Sequence, residues 1–321
     1  MKQGVLVVNK DWKTTSFAVV ARAKKILAIP KAGHLGTLDP MARGVLPIAL
    51  GSATRLMDFM DTAIKIYDCS ARLGLESDTM DIWGEVRDRA PALVSEDALR
   101  KALQKNSGLP SQLPPAFSAR KKDGRRLYEY ARAGQKVEGK KRTVYIQAQL
   151  TEYDPSDFAM RVVCSRGTYI RTLCASIGED LHTGACMTGL TRVADGVFTL
   201  EKALTIEELA HMDRDQIESR IVPIPDCLPD LGKARVRPEA RRFFRNGVTL
   251  RPDQWTIEKA PTYATKDFYL PLDPKYRTTY RVSCEEEFLG LASASGEGSL
   301  RPIRIFNDPE SEEEGKENLK V

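Results

Sequence analysis

A single carboxylate, Asp39, stands in the run Gly33-His34-Leu35-Gly36-Thr37-Leu38-Asp39-Pro40-Met41-Ala42-Arg43-Gly44-Val45-Leu46-Pro47. An imidazole, His34, lies five residues upstream. A carboxylate can attack carbon and leave again, so Asp39 is a candidate nucleophile. Gly33, Gly36 and Gly44 permit turns or close ligand approach that a Cβ would obstruct. Pro40 biases Asp39 away from the helical region and removes one backbone donor. A plainer alternative has Asp39 capping a helix with Pro40 at its first position, and Asp-Pro is equally a turn signal. Spacing within this run leaves both readings open.

The segments that would position such a group alternate short strands with amphipathic helices. Ser16 to Ile29 places Phe17, Val20, Ala21, Ala23 and Leu27 near helical spacing, which predicts a helix capped by Ser16 and stopped by Pro30. From Tyr67 to Leu73, Tyr67, Cys69, Ala71 and Leu73 fall on one face and Asp68, Ser70 and Arg72 on the other, as in a half-buried strand. Ser95 is expected to cap a helix through about Lys105. Val144–Tyr153 and Phe158–Cys164 read as a strand pair turning at Asp154-Pro155-Ser156. Ser165-Arg166-Gly167 then turns into a helix capped by Thr168 that carries Tyr169, Leu173, Ile177 and Leu181.

Between about 106 and 143 this pattern gives way to Pro110, Pro114, Pro115 and a basic cluster, read as an insertion with a helix at Leu127–Ala133. Pro223, Pro225 and Pro229 mark a boundary near residue 229. Residues 1–228 are thus expected to form one domain and 229–306 a small β-rich module. That module holds an Arg-rich helix at Pro238–Asn246, stopped by Gly247, and strands at Glu287–Ala292 and Leu300–Phe306. The tail, 307–321, has six acids and two lysines and is expected to be disordered.

A length of 321 residues suggests about two domains, and 42% hydrophobic content suffices for a packed core. No apolar run approaches the roughly 20 residues of a membrane helix. Val5-Leu6-Val7-Val8 reads as a first strand and not as a leader, so a cytoplasmic location is expected. Six scattered cysteines without a C-x-x-C pair and three distant histidines give no metal signature; reduced, buried thiols are expected. Net charge is +5, but from Arg120 to Arg142 ten Lys/Arg face three acids, a local +7. Such a distribution suits a polyanion binder.

Four segments, in order, resemble the TruB family of tRNA pseudouridine synthases. They are Gly33–Pro47, Lys65-Ile66-Tyr67 leading into Ala71-Arg72-Leu73-Gly74, Cys164-Ser165-Arg166-Gly167-Thr168-Tyr169-Ile170-Arg171, and Gly189-Leu190-Thr191-Arg192. Ser77-Asp78-Thr79-Met80-Asp81 and the basic insert also resemble the bacterial form. The resemblance implies an α+β pseudouridine-synthase fold, with a mixed, largely antiparallel central sheet flanked by helices and loops, and a PUA-like C-terminal domain. It implies isomerisation of uridine 55 in the tRNA T-loop, with the nucleotide flipped into a pocket. No cofactor is expected, because the reaction is an isomerisation without redox change.

The same resemblance makes Asp39 the nucleophile, with three paths open: attack at C1′, attack at C6, or removal of a 2′ proton. Tyr67 would stack on the target uracil, where its alternative is a core tyrosine. Arg171 would pair with Asp39 and aim it, where its alternative is a solvated helix residue. Tyr169 and Leu190 resemble pocket residues that could equally be core. His34 would fill the gap left by the flipped nucleotide, using a planar ring and no titration. Arg120, Lys121, Lys122, Arg125, Arg126, Lys140, Lys141 and Arg142 would meet the RNA backbone, and the C-terminal module the acceptor end.

Two stretches depart from the family. Lys10-Asp11-Trp12-Lys13 stands where it usually has Lys-Pro-x-Gly, and Arg251 to Tyr280, rich in aromatics, reads as an extra hairpin. Two other functions fit parts of the pattern: a non-catalytic tRNA-folding chaperone and a guide-RNA-dependent synthase. No membrane and no obligate protein partner is expected.

Overall fold

From Lys65 to Leu73 every second side chain is buried, which makes this strand a divider between core and solvent. In the computed structural model, which describes residues 2–60, 64–89, 93–118, 120–135, 137, 139–262 and 274–306, it is a central strand. The chain forms two units, Leu6–Ile48 with Asp61–Arg220, and Met1–Val5 with Ala49–Met60 and Ile221–Val321.

The first unit is built on a mixed sheet. Its order runs Ile146–Tyr153, Asp157–Cys164, Lys65–Leu73, Ala185–Asp195, Arg43–Leu50 and Gly4–Lys10. The first three pairings are antiparallel and the fourth, Thr191 with Arg43 and Arg192 with Gly44, is parallel. Leu6, Val8, Val45, Leu46 and Ile48 are fully buried, as continuous apolar runs in covered strands should be. The helices Ser16–Leu27, Glu96–Lys105 and Ile170–Asp180 bury Val19 and Ala23, Leu99 and Leu103, and Leu173 and Ile177. This is an α+β fold with a largely antiparallel sheet.

Two helix caps differ from expectation. Thr15, not Ser16, caps the first helix, accepting from the Ala18 N–H at 3.1 Å. Ser16 lies within the helix because its hydroxyl is committed elsewhere. That helix ends at Ala28, in the left-handed region, and not at Pro30. Thr168 caps nothing; its hydroxyl donates to the Ser165 carbonyl at 2.8 Å, and Ile170–Asp180 starts without a side-chain cap. Asp39 is no helix cap either, since it opens a turn closed by the Ala42 N–H on the Asp39 carbonyl.

The insertion is more ordered than its prolines suggest. Ser111–Gln112 pairs with Arg142–Thr143 at its base. Lys121–Lys122 pairs with Arg125–Arg126 through Asp123-Gly124, both at positive φ, as a two-residue hairpin demands. The helix Leu127–Arg132 follows. No helix among the described residues is long and apolar enough to cross a membrane.

The second unit holds a five-stranded sheet in the order Trp255–Lys259, Gly232–Val236, Thr279–Cys284, Glu287–Ala294 and Leu300–Ile305. Phe244, Leu250, Val282, Leu289 and Leu300 form its core, with Trp255 set edge-on to Tyr280. Within this unit Gly4 and Val5 pair with Pro223 and Val222, and the Tyr276 hydroxyl donates to the Asp58 carbonyl at 2.8 Å. The Arg-rich helix follows a short 3₁₀ turn and ends at Gly247. Trp255–Lys259 is no extra hairpin: it pairs with Gly232–Val236 as an edge strand, anchored by Trp255, which joins Ala234 and Val236 in that core. Tyr263, Phe268, Tyr269 and the acidic tail lie outside the described residues.

Candidate active site

Asp39 sits in a loop held at three points by side chains from distant segments. The Ser16 hydroxyl accepts from the Leu38 N–H at 2.9 Å and donates to the Leu38 carbonyl at 3.0 Å. Lys10 Nζ donates to the Thr14 carbonyl at 2.6 Å and reaches the Pro40 carbonyl at 3.4 Å. Arg192 donates to the Gly36 carbonyl at 3.2 Å and to the Val45 carbonyl at 2.7 Å. Leu35, Leu38 and Met41 are buried on the underside, so the loop has one apolar face and leaves Asp39 partly open.

Beneath the loop lies a buried charge network. Lys65 Nζ is 2.8 Å from Asp195, and Arg192 Nη1 is 3.4 Å from the same carboxylate. A buried pair needs every charge satisfied, and here one carboxylate serves two cations while Arg192 also meets two carbonyls. Gly36 is favoured by its left-handed backbone, φ +72°, and a Cβ there would crowd this network, 3.2 Å from both Arg192 Nη1 and Lys65 Nζ. Gly44, at φ +101°, is required by the parallel pairing, since a Cβ would meet the Arg192 carbonyl at 2.3 Å. Of the two uses the sequence allowed, backbone turns or close ligand approach, Gly36 and Gly44 serve the first, with protein packed against them.

Arg171 meets Asp39 at 2.9 Å. It also donates to the Thr79 and Phe117 carbonyls at 3.0 Å each, and its Nε lies 3.7 Å from Asp81. Three close oxygens and a second carboxylate at ion-pair distance surround one planar guanidinium and fix its plane, and thereby the carboxylate it holds. Asp81 is fixed in turn by the Thr79 hydroxyl at 2.8 Å and the Trp83 N–H at 3.0 Å.

Tyr67 is buried on the sheet face that also carries Lys65 and Cys69, directly across from Arg192 in the neighbouring strand. Burial raises its hydroxyl above the ordinary value, with Arg192 and Lys65 opposing, so it stays protonated at neutral pH. Leu190 is buried opposite Cys69, two residues along the same pair of strands and so on the same face. Tyr169 is clamped by its backbone, its N–H donating to Gln112 at 2.9 Å and its carbonyl accepting from Gln112 at 3.3 Å. His34 ends a short strand near Arg192. Desolvation chiefly, then Arg192, lower its pKa against a Gly36 backbone contact, and its buried Nδ1 has no hydrogen-bond partner among the described residues.

All eight basic insert residues named above are exposed. Two of their guanidinia lie against aromatic rings, Arg125 4.8 Å from the Tyr130 ring centre and Arg126 5.8 Å from that of Tyr128. A Cβ on Gly167 would sit 3.1 Å from Arg142 and 3.6 Å from Arg120, which places both guanidinia beside the turn that leads to Arg171. The insert and the Asp39 loop thus share one side of the fold through Phe117 and Arg171.

Lys10, Ser16, Lys65, Asp81 and Asp195 are site-building residues that motif spacing alone does not assign. Lys65 stands in a family-like segment, and its phase with Tyr67 and Cys69 on an apolar strand face marks it as buried, though neither names its partner. All six cysteines are buried free thiols, and burial pushes Cys164 up to about 12. Among the described residues no group of three or more His, Cys, Asp or Glu could hold a metal ion.

The chain matches the TruB family pseudouridylate synthase N-terminal domain over residues 24–170 and the tRNA pseudouridylate synthase B C-terminal domain over 171–228. It is 38% identical to a tRNA pseudouridine synthase B of Syntrophus aciditrophicus (strain SB) over 95% of this chain and 99% of that protein. It is 40% identical to one from Clostridium perfringens (strain 13 / Type A) over 76% and 83%. In fold it is similar to a chain in the crystal structure of a Cbf5-Nop10-Gar1 complex, with a TM-score of 0.72, 24% identity, and coverage of 96% of this chain and 86% of that one.

Proposed function

The chain belongs to the TruB family of pseudouridylate synthases, and on that premise we propose that it isomerises uridine 55 of the tRNA T-loop with Asp39 as nucleophile. The observation that carries this reading is the Asp39–Arg171 pair, an exposed carboxylate on a buried and fully engaged guanidinium.

Stacked in an RNA fold, the glycosidic bond is out of reach. The nucleotide therefore swings into the pocket, at a cost of a few kcal/mol. The neutral ring of His34 takes the vacated stacking position, and Tyr67 stacks on the uracil. Asp39 assists cleavage of the N1–C1′ bond, the detached uracil turns, C5 joins C1′, and the proton that C5 gives up is matched by one taken up at N1, so the product is an isomer. Apolar surroundings, including Leu190, hold the free base and keep water from C1′. Substrate RNA is gripped by its phosphates along the basic insert.

A tRNA-folding role without chemistry would need the basic surface and not the carboxylate. Incubating the protein with an unmodified T-arm stem-loop and mapping pseudouridine tests the assignment. Product at position 55 is expected; product only at another uridine, or none, would overturn it.

A further inference from the structure

Two half-exposed tryptophans from separate loops meet on the Asp39 unit. Trp12 and Trp83 have ring centres 6.0 Å apart with planes inclined by 53°, and each is more than two-fifths exposed. Lys13 Nζ lies 4.6 Å from the Trp12 ring centre. Indoles are ordinarily well buried, so two of them splayed open in contact mark a surface that something covers.

The loops that carry them are built into the site around Asp39. Trp12 follows Lys10 by two residues, and Lys10 holds the Thr14 and Pro40 carbonyls. The Trp12 N–H is fixed on Asp11 at 2.6 Å. On the other side the Trp83 N–H donates to Asp81, which faces the Arg171 that holds Asp39. The backbone that carries each ring is thus held beside the Asp39 loop or its partner by a short run of contacts.

We propose that Trp12, Trp83 and Lys13 form a stacking clamp for one unpaired nucleobase of the substrate RNA, other than the base that is isomerised. The proposal rests on the RNA reaction assigned above. Flipping one nucleotide unstacks its neighbours, and a freed base offers a π-face that any aromatic can take. A lysine beside the rings suits the phosphate of that nucleotide. Two rings and one lysine are far smaller than the roughly 800 Å² per side that a stable protein interface needs, which favours a base over a protein partner. This also gives the departure from Lys-Pro-x-Gly at residues 10–13 a purpose.

The test measures binding of T-arm stem-loops, each lacking one loop base, to the full-length protein. Wild type is compared with the double variants Trp12→Ala/Trp83→Ala and Trp12→Phe/Trp83→Phe. For wild type, removal of one particular non-target base is expected to weaken binding about tenfold. The alanine variant should bind the intact stem-loop about tenfold more weakly and lose sensitivity to that base, while the phenylalanine variant keeps both. Intact binding by the alanine variant, or a loss that leaves every base sensitivity in place, would overturn the clamp. If wild type makes no pseudouridine but its base-dependent binding still requires the tryptophans, the clamp stands and the assigned reaction falls.

Discussion

Arg171 and Asp39 meet at 2.9 Å, yet Arg171 is 6% exposed and Asp39 39%. The asymmetry assigns their parts: the arginine is an anchor, and the carboxylate is the group a substrate can reach. An anchor that meets Asp39 and two carbonyls within 3.0 Å, with Asp81 at 3.7 Å, cannot be replaced by a point charge. Arg171→Lys should lower kcat about 100-fold, because a carboxylate displaced by about 1 Å loses its attack geometry. Rates on a stem-loop substrate check this. Arg171→Ala should in addition lose about 1–3 kcal/mol of stability, since the Thr79 and Phe117 carbonyls lose their donor.

Asp195 joins Lys65 and Arg192 beneath the loop. Asp195→Asn leaves two buried cations facing a neutral amide. Urea unfolding should show a loss of about 3–5 kcal/mol, the range for breaking a buried pair. Activity should fall with it, because Arg192 also holds the Gly36 carbonyl.

Lys10 has its pKa lowered from 10.5 to about 8, mainly by desolvation, against the opposing pull of Asp11 and Asp39. Below pH 8 the folded chain bears a buried ammonium that the unfolded chain would hold in water. That penalty is fully present there and relieved as pH rises from about 8 to 10.5, so stability should gain across this window. Activity should move the other way. A neutral amine has two donors for the three carbonyls of Asp11, Thr14 and Pro40. A basic limb near pH 8 is expected in kcat/KM, and Lys10→Met should lack it.

His34 follows the same sign at lower pH, its pKa lowered below 6.5 chiefly by burial. Unfolded chain binds its proton first as pH falls, so this contribution to stability is present above about 6.5 and lost as pH drops towards the folded pKa. At neutral pH the ring is uncharged. His34→Phe should therefore keep most of the activity and His34→Ala lose about tenfold, as steady-state rates would show, if stacking is its role.

Lys121 and Lys122 stand on an exposed hairpin. Changing both to glutamine should raise KM and lower the slope of log binding against log salt by about 1–2, at about 0.7–0.9 per phosphate contact. A filter-binding titration across salt concentrations measures it.

Much of this was legible in the sequence, for identifiable reasons. Alternation exposed the Lys65–Leu73 strand, and motif order tied Asp39 to Arg171 across 132 positions. Thr15-Ser16 offers two equivalent caps locally; only the position of Leu38, brought near by the fold, decides which hydroxyl is free. Lys65 and Asp195 are 130 residues apart, and no periodicity announces which buried charges will share a partner. The insert's order was hidden for a different reason, since its hairpin and base pairing are two residues long and leave no alternation to read.

The central claim is that Asp39 performs the chemistry. Its most direct test is single-turnover pseudouridine formation on a T-arm stem-loop by Asp39→Asn, with RNA binding measured on the same preparation. The expected result is binding within a few-fold of wild type and a rate reduced at least about 1,000-fold, ~4 kcal/mol in the barrier. Turnover near the wild-type rate by a correctly folded Asp39→Asn would contradict the account.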